Sequence, residues 1–241
     1  PDALIPGKTY FFFSHTIKMQ PHNRGLLQEV LSRRVRLIDY EVLTDSKGIR
    51  IIGFGRWAGM VGTYNGLRAL CLRADDNCLP PPQEFPGYEQ LLKQASETRL
   101  PHAKIALTGD GRVAGGAEEM LAAFGVRKVT VEEYLEKEYF SVPVYIQLDP
   151  SLYNRSKLRT RFNLKHFFLH PDTYESDFGR FCSRTDLLIM AAYWDRRAPM
   201  LMTADDMRKP DFRISAIADI TCDIGGSVPS TLRTTTFDQP Y

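Results

Sequence analysis

The chain has 241 residues, of which 43% are hydrophobic and 25% charged, and its formal net charge is +2. That length is long for one domain and short for two full ones, and the composition is that of an ordinary globular protein able to bury a sizeable core. The near-balanced charge gives no reason to expect nucleic acid or an anionic membrane as a partner, and no uncharged apolar run approaches the ~18 residues of a bilayer span.

The opening Pro1-Asp2-Ala3-Leu4-Ile5 is no signal peptide. The chain starts on Pro1, with an apolar strand close behind, and this reads as a piece of a longer protein. Cys71, Cys78, Cys182 and Cys222 fit no CxxC metal or redox spacing, so the expectation is free thiols in a reducing cytoplasm and no metal.

Thr9-Tyr10-Phe11-Phe12-Phe13 reads as a buried strand. Asn23 is placed to cap a helix whose apolar face is Leu26, Leu27, Val30 and Leu31. Residues 35–43 read as a strand, Asp45-Ser46-Lys47-Gly48 as a turn, and residues 49–54 as the second arm of a hairpin. A helix is expected from Gly55 to Leu72. Gly59, Gly62 and Gly66 share one of its faces, and close packing against another element explains them better than a ligand does. Residues 73–88 are loop, with Pro80-Pro81-Pro82 excluding a helix, and a short helix lies within Gly87 to Ala95.

Lys104-Ile105-Ala106-Leu107-Thr108 is a short apolar strand that runs straight into Gly109-Asp110-Gly111-Arg112-Val113-Ala114-Gly115-Gly116. A helix over Gly116 to Phe124, a stop at Gly125 and a strand at residues 128–131 complete a unit of about 30 residues, the size of a βαβ crossover. Residues 132–180 are irregular. Residues 186–192 and 214–220 are further buried strands. Strands without polar alternation, separated by helices, indicate an α/β protein with a parallel sheet covered on both faces.

The glycine turn is the strongest local signal. A pyrophosphate needs a turn with no side chain in the way and the positive end of a helix behind it. Gly109 and Gly111 fill the first two positions, Ala114 replaces the usual third glycine, and Gly115 and Gly116 follow. The strand before and the helix after support a dinucleotide site.

An acid about 20 residues on, at the end of the next strand, would bond the adenosine ribose and select NAD over NADP. Glu132 and Glu133 stand there, with helix opening as the competing role. Arg112 and Arg127 would instead suit a 2′-phosphate, so NADP stays open. His15, with Ser14, Thr16 and Lys18, follows a strand's C-terminal end, where open sheets place their sites. Asp39 and Glu41 share a strand face and need partners, for which Arg36 and Arg50 are at hand. Asp219 to Ser227 closes a strand and runs on as a polar loop able to reach the cofactor, with Asp219 and Asp223 as its acids.

Four stretches occur in one order: Phe12-Phe13-Ser14-His15-Thr16-Ile17-Lys18, Leu37-Ile38-Asp39-Tyr40-Glu41, Phe54-Gly55-Arg56-Trp57-Ala58-Gly59 and Asp219-Ile220-Thr221-Cys222-Asp223-Ile224-Gly225-Gly226-Ser227. Together they resemble lysine-forming saccharopine dehydrogenase and the lysine–ketoglutarate reductase half of the bifunctional aminoadipic semialdehyde synthase. Both are similar to the alanine dehydrogenase and transhydrogenase group.

The resemblance runs from about Lys8 to Tyr241. It implies two Rossmann-like domains with a cleft between them, residues 1–53 being the last part of the substrate domain and residues 54–241 the NAD(P)-binding domain. It makes His15 the acid–base group, places Lys18 and Glu41 in the catalytic cleft, and gives Arg50 a substrate carboxylate to hold. It implies hydride transfer to or from NAD at the C–N bond of a saccharopine-type secondary amine, and as partners an amino-acid or oxo-acid substrate and further copies of the chain.

Three family features are absent: a catalytic lysine upstream of the aromatic strand, an arginine from earlier in that domain, and helices after Tyr241. Residues 132–180 match poorly, which leaves the substrate open. Two alternatives stand beside this reading: alanine dehydrogenase-like deamination, and a cofactor-sensing module without turnover.

Overall fold

The computed structural model describes residues 3–19, 21–74, 79–236 and 239–241. The chain divides into two compact units, Pro1–Phe54 and Gly55–Tyr241.

In the first unit β1 (Thr9–Phe12) leads through a short 3-10 turn (Thr16–Lys18) to α1 (Arg24–Ser32) and then β2 (Arg36–Asp39). The two strands pair in parallel, from Thr9 beside Arg36 to Phe12 beside Asp39. Because side chains alternate along a strand, one face carries Tyr10 and Leu37, which pack with Leu26 of α1 around buried Leu4, Val30 and Val35. The other face carries Phe11 and Ile38, both exposed.

Two expectations change here. Asn23 precedes α1 but makes no cap bond, and its Nδ2 donates instead to the His15 carbonyl at 3.5 Å. Residues 49–54 form no strand. The pairing is a single bridge between Thr44 and Arg50, beside an Ile51 N–H bond to the Leu43 carbonyl at 2.9 Å. The Asp45 carboxylate takes the amides of Lys47 and Ile49, each at 2.9 Å, and so holds a tight local turn. Ile49 and Ile51 stay exposed, so no burial extends the pairing.

The second unit opens with α2 (Gly55–Arg73) and α3 (Tyr88–Glu97), followed by β3 (Lys104–Thr108) and α4 (Arg112–Ala123). Then come β4 (Arg127–Lys128), α5 (Val131–Glu136), β5 (Val144–Leu148) and α6 (Pro150–Tyr153). A small antiparallel hairpin, β6 (Asn154–Ser156) with β7 (Tyr174–Ser176), encloses α7 (Leu164–Leu169). α8 (Gly179–Cys182), β8 (Leu187–Met190) and β9 (Ala216–Asp219) complete the unit.

Five strands form one sheet in the order β4-β5-β3-β8-β9, with every pairing parallel. Ile105, Leu107, Leu187 and Ile189 face one core, with Leu67 of α2 and Met120 of α4. Ala106, Ile146, Leu188 and Met190 face a second core, with Tyr134, Phe178 and Phe181. The α/β class and the two-sided parallel sheet read from the sequence are present.

The α2–α4 crossing is made by glycine. A Cβ on Gly59 would lie 1.9 Å from the Val113 carbonyl oxygen, and one on Gly116 would lie 1.9 Å from that of Arg56. Further along α2, a Cβ on Gly62 would meet Ile220 at 2.6 Å and one on Gly66 would meet Ala218 at 2.7 Å. The α2 glycines therefore serve packing, as their spacing implied.

Lys104, at the N-terminal end of β3, is buried although it is cationic. Its Nζ donates to the carbonyls of Tyr134 at 2.5 Å and Lys137 at 2.6 Å, and lies 4.5 Å from the Tyr134 ring centre. These carbonyls end α5 and its cap, so the ammonium closes that helix from below. Burial pulls its pKa down to about 8, helped by Arg184 and Arg213. The expectation of four free thiols is corrected too: Cys71 is disulfide-bonded, whereas Cys182 and Cys222 form no disulfide. The CxxC rule tests metal and redox spacings and is silent on a bridge of this kind.

Candidate functional site

β3 ends at Thr108 and Gly109 turns the chain. Its φ of +95° suits glycine, and a Cβ there would sit 2.9 Å from the Ala192 Cα. Gly111 is the N-cap of α4, and no side chain caps that helix. Gly111, having no side chain, cannot itself cap the first-turn N–H groups of α4. A Cβ on Gly111 or on Gly115 would meet nothing within 4 Å.

An open cradle beneath the start of a twelve-residue helix fits a pyrophosphate. Arg112 is the first helical residue. The helix starts there, four residues earlier than its apolar spacing implied. Gly116, expected beside the cofactor, has its bare Cα taken up by the Arg56 backbone, so helix packing requires a glycine there.

Strand order bears on the acid expected at the ribose position. The strand after α4 is β4, two residues long at the sheet edge, and it pairs with β5 rather than β3. Glu132 follows it, in the first turn of α5, whose N-cap Thr130 accepts from the Glu133 amide. Glu133 pairs with Lys137 at 2.9 Å and Arg127 at 3.7 Å. These acids open a helix.

The strand beside β3 is β5, and its C-terminal end touches the glycine turn. The Gly109 amide donates to the Leu148 carbonyl at 2.8 Å, and Gln147 Nε2 donates to the Gly109 carbonyl at 3.0 Å. The first residue beyond is Asp149, exposed, with Oδ1 accepting from the Ser151 amide at 2.8 Å and hydroxyl at 2.6 Å. Counting strands along the chain does not lead to Asp149, because pairing order, not chain order, puts β5 beside β3.

Asp219 ends β9 at the same edge of the sheet. Its carboxylate is taken by the loop, accepting from the Thr221 hydroxyl at 2.6 Å and the Thr231 hydroxyl at 2.6 Å. Asp223 contributes its carbonyl to the Gly226 amide at 2.8 Å and is partly exposed. Asp219 therefore shapes this loop. An open cavity of about 610 Å³, lined by residues such as Leu100, His102, Gly125 and Pro143, lies at the opposite, N-terminal end of the strands. It is remote from the glycine turn.

The first unit gathers its polar residues just past the ends of β1 and β2. His15 has φ +55°, a left-handed conformation that costs a non-glycine residue on the order of 1 kcal/mol or more. Glu41 is buried, at 4% exposure. Its Oε2 accepts from the His15 amide at 3.1 Å, and its Oε1 lies 3.3 Å from His15 Nδ1 and 3.7 Å from Arg50 Nη2. Nδ1 is buried and within ion-pair distance of Glu41, but the angle is not that of a hydrogen bond. The side chain as a whole is 45% exposed, so the rest of the ring faces outward.

Arg50 also lies 5.7 Å from the Phe13 ring centre, and Phe13 meets the His15 ring edge-on at 4.5 Å. Lys18 ends the 3-10 turn after His15, and its side chain lies outside the described residues. Glu41 thus finds the partner foreseen in Arg50, whereas Asp39 pairs with neither arginine and bonds to Ser14 and the Glu41 amide. Burial works to raise the Asp39 pKa, but the Ser14 hydroxyl and the amides of Glu41 and Ser14 hold it below the usual carboxylate value.

Among the described residues no cluster of three His, Cys, Asp or Glu could hold a metal ion, and no helix is long and apolar enough to cross a membrane. A parallel sheet with a bare glycine turn leading into a helix defines a Rossmann-like α/β protein. No family model matches the chain.

By sequence, the chain is similar to aminoadipic semialdehyde synthases and to a saccharopine dehydrogenase. It is 30% identical over 286 residues to the mitochondrial alpha-aminoadipic semialdehyde synthase of Bos taurus, covering all of this chain and 30% of the relative. It is 27% identical to that of Arabidopsis thaliana, covering all of this chain and 26% of the relative. A saccharopine dehydrogenase [NAD(+), L-lysine-forming] of Candida glabrata is 28% identical over 125 residues, covering 47% of this chain and 34% of the relative. The chain thus spans about a third or less of the length of these curated relatives. A solved L-alanine dehydrogenase overlays 99% of the chain and 56% of its own with a TM-score of 0.49 at 18% identity.

Proposed function

We propose that this protein is part of an NAD(P)-dependent oxidoreductase acting on the C–N bond of a saccharopine-type secondary amine, on the side of lysine and 2-oxoglutarate. The observation that carries this is the buried Glu41 carboxylate with His15 on one side and Arg50 on the other. The first unit is the substrate-handling part, and the second holds the dinucleotide. When bound, the nicotinamide supplies or accepts the hydride, and the protein supplies placement and proton handling.

Making or breaking an imine needs protons moved near neutral pH, a role suited to His15. Glu41 fixes the ring's Nδ1 edge and leaves the outward nitrogen for proton exchange. Lys18 tunes the local charge, and Arg50, with its planar fork and 45% of its side chain exposed, suits a substrate carboxylate. Gly109, Gly111, Arg112 and Gly115 hold the pyrophosphate. Asp223 lies on the loop beyond β9, within the polar rim of the same sheet edge.

Asp149 is the acid for the adenosine ribose, which favours NAD(H), and the name of the Candida glabrata relative specifies NAD(+). Replacing Asp149 by Ala should weaken NAD(H) about tenfold or more and NADP(H) far less. Calorimetry with both nucleotides at fixed salt tests this, and equal losses would remove Asp149 from the site.

The reaction is tested by following NADH and NADPH oxidation by the full-length protein with lysine plus 2-oxoglutarate, against ammonia plus pyruvate. Turnover only with the second pair would mean alanine dehydrogenase-like chemistry. Nucleotide binding without turnover in either would mean a sensing module. Localisation of the tagged full-length protein tests the cytoplasm as its compartment, since the Bos taurus relative is named mitochondrial.

A further inference from the structure

We infer that Asp39 is a positioning residue for the His15–Glu41 pair: its carboxylate ties the end of one strand, which carries His15, to the end of the other, which carries Glu41. This rests on the reading of His15 and Glu41 as the acid–base site. The β1–β2 ladder stops at Phe12 beside Asp39. His15 lies three residues beyond that point and Glu41 two, where no ladder bond joins the two segments.

Asp39 bridges the gap from both sides. Oδ1 accepts from the Glu41 amide at 2.9 Å and the Ser14 amide at 3.3 Å, and Oδ2 accepts from the Ser14 hydroxyl. Ser14 is itself buried. Its hydroxyl also accepts from the Thr16 amide at 3.1 Å and lies 2.8 Å from the Thr16 hydroxyl. One carboxylate therefore anchors the residue before His15, the turn after it and the backbone of Glu41. With those fixed, the Glu41 side chain meets the His15 amide and Nδ1.

The left-handed backbone at His15 gives this a purpose. A strained residue persists only where its surroundings over-determine it. Among the described residues the charged groups around His15 are Glu41, Arg50 and Asp39; Glu41 holds the His15 amide through its side chain, and Asp39 holds both the residue before His15 and the Glu41 backbone.

The test is a double-substitution cycle read by NMR at one fixed pH on the full 241-residue chain. The readouts are the His15 imidazole resonances and the exchange rate of the His15 amide. In the wild-type background Glu41→Gln should move the imidazole resonances. In Asp39→Ala the same change should leave them nearly unmoved, and the His15 amide should exchange roughly tenfold faster, as expected for loss of a bond to a charged group.

Asp39→Asn should restore the coupling, because its Oδ1 still accepts both amides while the Ser14 hydroxyl turns to accept from Nδ2. If Asp39→Asn behaves like Asp39→Ala, the carboxylate acts by its charge, and positioning is wrong. If Asp39→Ala keeps the full response to Glu41→Gln, the proposal fails. Should Asp39→Ala not fold, Ser14→Ala removes only the hydroxyl bond and should cut the response in part. An undiminished response there overturns the proposal as well. Neither readout needs turnover, so failure here is distinct from failure of the proposed reaction.

Discussion

The two units solve the same structural problem to different degrees. Each contains parallel strands joined through a helix, and parallel strands are stable when both faces are covered. The second unit covers both, with Leu107 and Ile189 facing one core and Ile146 and Leu188 facing the other. The first unit covers one face with α1 and leaves Phe11 57% and Ile38 41% exposed on the other. The unit covered on both faces carries the glycine turn, and the thinly packed unit carries the buried carboxylate and the strained histidine. On the proposed function, fold stability and acid–base chemistry are concentrated in different stretches of one chain, and substitutions should sort accordingly.

The sharpest separation is expected from His15→Gln. In the full-length protein it should cut turnover by roughly 10²–10⁴ and leave nucleotide affinity unchanged, since the glycine turn belongs to the other unit. Steady-state kinetics and calorimetry on one variant check both halves, and loss of both together would make His15 a structural residue.

Gly116→Val comes next. It would drive carbon into the Arg56 backbone, where nothing flexible can yield, and should cost about 3 kcal/mol. Urea unfolding measures it, and wild-type stability would mean that α2 and α4 do not cross so closely.

Lys104→Met should cost about 1–3 kcal/mol at neutral pH by leaving one buried and one part-buried carbonyl unpaired. The sign of its pH dependence follows from the lowered pKa. Between about 8 and the ordinary lysine value of 10.5 the unfolded chain binds more protons than the folded one, so wild-type stability should rise with pH across that window. The gap to Lys104→Met should widen there, and a constant gap would mean that Lys104 does not titrate in that range.

Gly111→Val should be the mildest for the fold. Its Cβ meets nothing within 4 Å, so stability should hold while nucleotide affinity falls about tenfold. Equal affinity in calorimetry would move the nucleotide elsewhere.

Elements fixed by local pattern were legible in the sequence. The long α2, the β3–glycine turn–α4 unit and the apolar β8 and β9 announce themselves by periodicity and by glycine. What depends on pairing between distant segments was not. The order that slips β5 between β3 and β4 places Asp149, not Glu132, at the end of the strand beside β3, and nothing in the spacing of residues 109–132 encodes it. Three glycines that look alike in sequence do different things: Gly109 supplies a positive φ, Gly111 leaves space and Gly116 admits a backbone. In the first unit the resemblance pointed to His15, Glu41 and Arg50, and these three come together. The partner of Asp39 was missed because Ser14 looked like part of a polar strand end, whereas burial turns it into a clamp.

The buried Lys104 amine has one more consequence. A primary amine that loses its proton near pH 8 would be a strong nucleophile toward acylating reagents if they could reach it. Packed under α5 and bonded to its carbonyls, it is shielded in the folded chain. Its labelling rate at mildly alkaline pH should therefore follow how often that corner of the sheet opens. Mass spectrometry of acylated peptides would make this one side chain a built-in clock for local unfolding, set against the exposed lysines of the same molecule.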